Sequence, residues 1–201
     1  MPIVDKDVER LKNPEVLAPR RQVIGRTSVV PPEPGVYAWY FKELPSKLIV
    51  RQDCWQQDNK WLLYTGISPS KPPENGKPPS SQNIRKRIAY HMRGNAYGST
   101  LRLSLGCLLA DTIGIQLRRV GGGNRLTFAD GEALLSDWLD ENAFVTWITH
   151  PQPWRVETKA ISSLYLPLNL DQNSSHPFHQ QLSEARKSAK TLATRLPVFS
   201  S

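Results

Sequence analysis

Five side chains in this sequence are of types that, brought together, could work on a phosphate ester. Tyr37 stands in Gly35-Val36-Tyr37-Ala38-Trp39-Tyr40-Phe41, and Tyr64 in Trp61-Leu62-Leu63-Tyr64-Thr65-Gly66. Arg87 and His91 are four residues apart in Lys86-Arg87-Ile88-Ala89-Tyr90-His91, and Glu157 lies in Trp154-Arg155-Val156-Glu157-Thr158-Lys159-Ala160-Ile161. A guanidinium offers a planar fork of donors to phosphate oxygens. Phenol and imidazole can move a proton. A carboxylate beside apolar residues is costly unless a cation or a metal pairs with it. Taken singly, each residue also has an ordinary reading: two strand aromatics, a satisfied helix histidine, and a glutamate salt-bridged to an arginine such as Arg87.

For these groups to converge, the elements must place them. Gly35–Phe41 and Trp61–Gly66 are rich in β-branched and aromatic residues and read as strands. From Ser81 the pattern turns helical, with Ile84 and Ile88 on an apolar stripe and Arg87 and His91 sharing the next face. Phe144–Thr149 supplies a third strand. Pro153 suits the first turn of a further helix, which should stop before Pro167. There Glu157, Ala160, Ile161 and Leu164 recur at i, i+3, i+4 and i+7, so a carboxylate heads an apolar stripe.

A Gly-x-Tyr strand, a Tyr-x-Gly strand and a helix with Lys-Arg-x-x-x-His resemble the core of the GIY-YIG nuclease superfamily. The layout is closest to its restriction-endonuclease-like branch, because the gap between the two tyrosines is long. The resemblance covers residues 34–169 and implies catalytic roles for Tyr37, Tyr64, Arg87, His91, Glu157 and Asn169. Val36 and Thr65 replace the family's isoleucines at variable positions. By this resemblance Glu157 holds Mg²⁺ (or Mn²⁺) and Arg87 grips the phosphate. Tyr37 activates water, with His91 orienting its phenol or taking its proton, while Tyr64 binds the phosphate or the water and Asn169 steadies the site. One carboxylate with waters suits Mg²⁺, which keeps much of its hydration shell.

Composition bounds the rest. The 201 residues suffice for one domain with a sizeable core. No apolar run approaches the ~20 residues that span a bilayer, and the charged start, MPIVDKDVERLK, is unlike a signal peptide; both predict a cytoplasmic protein with no membrane contact. Cys54 and Cys107 are too few and too far apart for a disulfide framework or a CxxC metal site. A net charge of +8 favours a polyanionic partner, since Lys and Arg release counterions from phosphates. DNA is the expected substrate, with RNA and branched DNA as alternatives. A homodimer would be needed for a coordinated double-strand cut.

Flanking segments are read more simply. Asp5–Leu11 predicts a short helix, followed through Pro34 by a proline-punctuated arm carrying Arg20, Arg21 and Arg26, either along a backbone or wrapped over the core. Leu48–Arg51 predicts an edge strand, and the proline-rich stretch 68–81 a loop whose Lys71 and Lys77 are solvated. Ser99 or Thr100 caps a helix with Leu101, Leu105 and Leu108 on one face. Ile115–Val120 and Arg125–Phe128 flank a Gly-Gly-Gly-Asn turn and form a hairpin, and no Lys-Ser/Thr follows to make it a phosphate loop. Asp130 caps a helix with Leu134, Leu135, Trp138 and Leu139 inward. His176 and His179 look like an HxxH pair, but nothing completes a zinc set. A final helix, about Gln180 to Arg195, carries Arg186, Lys187, Lys190 and Arg195, either to clamp a backbone or as a solvated face.

The expected fold is α/β: a small three-stranded mixed or antiparallel sheet flanked by helices, with an added hairpin and terminal helical extensions. The expected organisation is an arm (1–33), a catalytic domain (34–169) and a C-terminal loop with a basic helix (170–201) packing on it. Arg85, Lys86, Arg93, Arg118, Arg119, Arg125, Lys187 and Lys190 are the expected nucleic-acid contacts. The function these readings predict is a metal-dependent DNA endonuclease. Its rivals are a catalytically silent nucleic-acid-binding module on the same scaffold and a basic protein using the fold for protein contacts.

Overall fold

A computed structural model describes residues 3–48, 53–75 and 80–200. The chain opens with α1 (Ile3–Lys12), β1 (Ala18–Pro19) and α2 (Arg20–Val23), then forms β2 (Gly35–Phe41), β3 (Gln56–Gln57) and β4 (Lys60–Ser68). Next come α3 (Ile84–Arg93), α4 (Thr100–Ile113), the hairpin β5 (Arg118–Val120) and β6 (Arg125–Thr127), and α5 (Gly131–Asn142). The chain finishes with β7 (Ala143–Thr149), α6 (Pro153–Ser163) and α7 (His179–Arg195). The expected Leu48–Arg51 strand lies mostly outside the described residues, as does Lys77.

The main sheet runs β1-β7-β2-β4-β3, and every pairing in it is antiparallel. Five strands replace the three expected from sequence. The additional ones, β1 and β3, are two residues each, too short to leave a period-2 signature. All seven residues of β2 are buried, because helices cover both faces. Tyr37, Trp39 and Phe41 face a cluster built with α3, α4, α5 and α7, whereas Val36, Ala38 and Tyr40 face α1 and α6. Alternation in β2 is therefore between two apolar layers rather than between core and solvent.

A register shift between Trp39 and Tyr40 pairs Trp39 with Tyr64 but Tyr40 with Leu62, leaving Leu63 as an extra residue on β4. Without this bulge Tyr64 and Leu62, two apart, would share a face. With it Leu62 joins the α1/α6 layer and Tyr64 the α3/α4 layer, the re-aiming that bulges achieve.

Two expectations about helices need correction. Residues 101–109 of α4 are all buried, Arg102 and Ser104 included, so this helix is wrapped on every side rather than along one leucine face. In α5, Leu134 is 49% exposed and Asp130 makes no side-chain cap. The Glu132 carboxylate reaches outside the helix, accepting from Phe128 N in the preceding turn and from Ala96 N. It also pairs with Arg102 at 2.7 Å.

The arm after α1 is pinned to the core. Ala18 and Pro19 pair with Val145 and Phe144, Val23 and Val30 are buried, and Arg85 Nε donates to Val30 O at 2.5 Å.

Candidate active site

Tyr37 sits mid-sheet on the α3 side, and its register partner on β4 is Gly66. A Cβ on Gly66 would fall 2.7 Å from Tyr37 Oη, closer than real Cβ contacts come. The glycine is what makes room for the phenol.

Helix α3 begins at Ile84, slightly later than the sequence pattern reads. Asn83 caps it, its side chain accepting from Lys86 N at 3.0 Å. One turn apart on this helix, Arg87 and His91 look back at the sheet. His91 is fully buried and boxed by the rings of Tyr37, Trp39 and Tyr64. Its Nε2 is 2.8 Å from Tyr37 Oη and its Nδ1 is 2.7 Å from Ser99 Oγ. Ser99 Oγ also accepts from Arg102 N as the α4 cap. That leaves the buried hydroxyl one proton, for which His91 Nδ1 is the acceptor in reach. With the tautomer assigned in this way, the imidazole proton is on Nε2 and donates to Tyr37 Oη.

Burial, then the charges of Arg87 and Arg102, hold His91 well below the ordinary histidine range. It is a neutral imidazole. Burial and the neighbouring Tyr64 push Tyr37 well above the ordinary tyrosine range, with Arg87 opposing. Tyr64 is raised for the same first reason, against the pull of Thr100 and Arg87. Arg87 is anchored by donating to Gly98 O at 2.8 Å.

Asn169 acts on the backbone. Its Oδ1 accepts from Thr65 N and its Nδ2 donates to Thr65 O, both at 2.9 Å. Leu168 N donates to Leu63 O beside it. The segment after α6 thus completes the open edge of β4, next to Tyr64, as a strand partner would.

Glu157 projects from α6 into a cleft of about 720 Å³ lined also by Tyr64, Asn169, Asp171, His179, Arg186, Lys187 and Lys190. A recess bounded by Lys86, Arg87 and Tyr90 neighbours a third hollow, which shares Ile67 and Ser70 with that recess and Glu157 and Asp171 with the cleft. Among the described residues no cation figures in the groups that set the Glu157 carboxyl. Burial and then Asp171 push it up to about 7, with Gln172 opposing. The ion pair with Arg87 read as an alternative from sequence is therefore not what balances it.

The remaining basic residues divide. Lys86, Lys187 and Lys190 line the groove, and Arg93 is exposed. Arg118 and Arg119 donate to the tail carbonyls of Pro197 and Leu196, and Arg125 stacks over Tyr97. Arg85 is spent on the arm. His176 and His179 do not converge: His176 Nδ1 accepts from Phe178 N and its ring packs on Tyr165, while His179 lines the cleft. Burial pushes the thiols of Cys54 and Cys107 up to about 12 and about 11, and neither forms a disulfide. No helix among the described residues is long and apolar enough to cross a membrane.

Comparison with protein-family models matches residues 35–188 to the GIY-YIG catalytic domain. The chain belongs to this family. The GIY-YIG match runs past Asn169 through the first half of α7, further than the sequence motifs alone suggested, and it identifies a nuclease-type fold. No curated protein and no solved structure matches the chain. Sequence reasoning missed Ser99 as a partner of His91, Arg186 as part of the cleft, and the Arg102–Glu132 pair. Of these only Arg102 left a trace, as a charge inside an apolar helix.

Proposed function

We propose that this GIY-YIG domain is a metal-dependent endonuclease that hydrolyses phosphodiester bonds, with DNA as substrate. The observation that carries the reading is geometric: Tyr37 Oη meets His91 Nε2 at 2.8 Å and the Tyr64 ring packs on the same imidazole. The charges of Arg87 and Glu157 both act on this buried phenol.

A divalent cation fits this site. Glu157 is a half-buried carboxylate on which the charge of Asp171 also presses, an arrangement that a cation relieves. Among the described residues no three His, Cys, Asp or Glu gather into a ligand set. That sparseness suits Mg²⁺ or Mn²⁺, whose shell would be completed by water and phosphate. Glu157 would hold the ion, which when bound stabilises negative charge developing on the phosphate and leaving oxygen.

The chain's own groups do the rest. Arg87, anchored at Gly98 O, presents its remaining donors to the phosphate oxygens. Cations that lower the pKa of Tyr37, a direction in which Arg87 already acts, let its phenolic proton leave to bulk water, and the phenolate then takes a proton from the attacking water. His91, neutral and donating from Nε2, stabilises the phenolate oxygen until it takes the proton of the water. Tyr64 contributes its phenol to the phosphate or the water. Asn169 holds the β4 backbone that carries Tyr64.

The test is cleavage of supercoiled plasmid by the purified protein in Mg²⁺ and in chelator, beside Glu157→Gln. Nicking or linearisation that needs both the ion and Glu157 is the expected result. Salt-sensitive binding without cleavage of plasmid, branched DNA or RNA would replace this reading with that of a silent binding module.

A further inference from the structure

Arg102 and Arg186 follow different rules. Arg102 is fully buried and completely partnered: it meets the Glu132 carboxylate through Nε and Nη2, and it also donates to Glu132 O, Ser136 Oγ, and the carbonyls of His91 and Met92. Such a set is what a guanidinium needs once water is removed. Arg186, on α7, is half-buried and makes no hydrogen bond or ion pair to any described residue. The groups that act on its charge are Cys107 and Tyr64, and no carboxylate is among them.

Where Arg186 sits explains what it waits for. It lines the same cleft as Glu157, together with Asn169, Lys187 and Lys190. The charges acting on the Tyr64 phenol are Arg87, Glu157 and Arg186, so Tyr64 links the α3 arginine to the α7 one. An arginine left half-desolvated without an anion lowers stability, and its place in a cleft with two phosphate-type side chains supplies the reason to keep it.

We propose that Arg186 is a second phosphate-contacting guanidinium of the active cleft, reaching the substrate backbone from α7 while Arg87 reaches it from α3. Lys187 and Lys190 extend the same wall as point charges. The inference rests on the nuclease reading above for its substrate, but not for its test. Arg186 has five donors in a rigid fork and none is committed to a described residue, so a phosphate can be taken in a bidentate grip.

The experiment measures binding of a short DNA duplex, in chelator and across salt, for wild type, Arg186→Met and Arg186→Gln, together with thermal unfolding and Mg²⁺-dependent cleavage. The expected result has three parts. The slope of log K against log salt falls by about one in both variants. Cleavage falls by roughly 10²-fold. Melting stays at or above that of wild type, since an unpaired charge has been removed. An unchanged salt slope in either folded variant overturns the assignment. So does loss of folding in both, which would make Arg186 a packing residue. If the wild type fails to cleave, the nuclease reading falls while the salt slope still decides the role of Arg186.

Discussion

Asn169 holds both backbone groups of Thr65, accepting from its N–H and donating to its carbonyl at 2.9 Å each. The carboxamide stands in for a missing strand on the open edge of β4, one residue from Tyr64. Its part in the site is therefore positional, and its removal should act through the strand.

Asn169→Ala leaves Thr65 N–H and C=O unpaired in a buried setting, at a cost of about 1–3 kcal/mol. Asn169→Asp keeps the acceptor for Thr65 N but sets a carboxylate against Thr65 O, and should be no better. Denaturant unfolding reads the stability. An Asn169→Ala protein as stable as wild type would show that the clamp is dispensable.

Tyr37→Phe keeps the ring that packs against His91 and removes only the oxygen that His91 Nε2 meets. Folding should survive with a loss of about 1–2 kcal/mol from the orphaned imidazole. Cleavage should drop about 10²–10⁴-fold, the usual worth of a positioned proton-transfer group. Retention of full activity by a folded Tyr37→Phe protein removes the phenol from the mechanism.

Gly66→Ala tests the space opposite that phenol. The added methyl would meet Tyr37 Oη at 2.7 Å, and the tyrosine, fully buried and tied to His91, cannot swing away. Overpacking of this kind costs about 1–3 kcal/mol. Activity should fall with it. A Gly66→Ala variant with unchanged melting and unchanged cleavage would mean that the sheet relaxes freely there.

Arg102→Met strands the Glu132 carboxylate and should destabilise by about 3–5 kcal/mol, the cost of breaking a buried pair from one side. The effect belongs to the fold: Arg102 touches His91 O and Ser136 but none of the cleft. Near-wild-type melting of Arg102→Met would contradict the view that α4 is anchored to α5 through this pair.

Much of the site was legible because its residues come with local signatures. Tyr37 and Tyr64 sit in aromatic strands, Arg87 and His91 share a helix face, and Glu157 interrupts an apolar stripe, so each announces its own element. What sequence could not announce was pairwise and distant. Ser99 reads only as a cap until the fold sets it beside His91, eight residues back. The bulge at Leu63 has no glycine or polar break to mark it. Arg186 looks like one more charge on a solvated helix, because α7 carries Lys187, Lys190 and Arg195 as well, and only packing against α4 shows which of them turns inward. The β1 and β3 edge strands are set by pairing alone.

Glu157 gives the fold a pH dependence that its chemistry predicts. Burial and Asp171 push its carboxyl up to about 7 in the metal-free protein, above the ordinary carboxylate value. A folded-state pKa raised in this way means that the folded chain prefers the protonated form. The associated stability is fully present below the ordinary carboxylate pKa and is lost as pH rises through about 7. In chelator, wild type should therefore lose roughly 2 kcal/mol relative to Glu157→Gln between pH 5 and pH 8. Mg²⁺ should return stability at the alkaline end, where the carboxylate is charged, and do little at pH 5. Thermal unfolding of both proteins across that range, with and without the ion, separates the contribution of this carboxyl from all other titrations. Parallel curves for wild type and Glu157→Gln would show that Glu157 ionises without cost, and its standing as a buried charge in want of a cation would go with them.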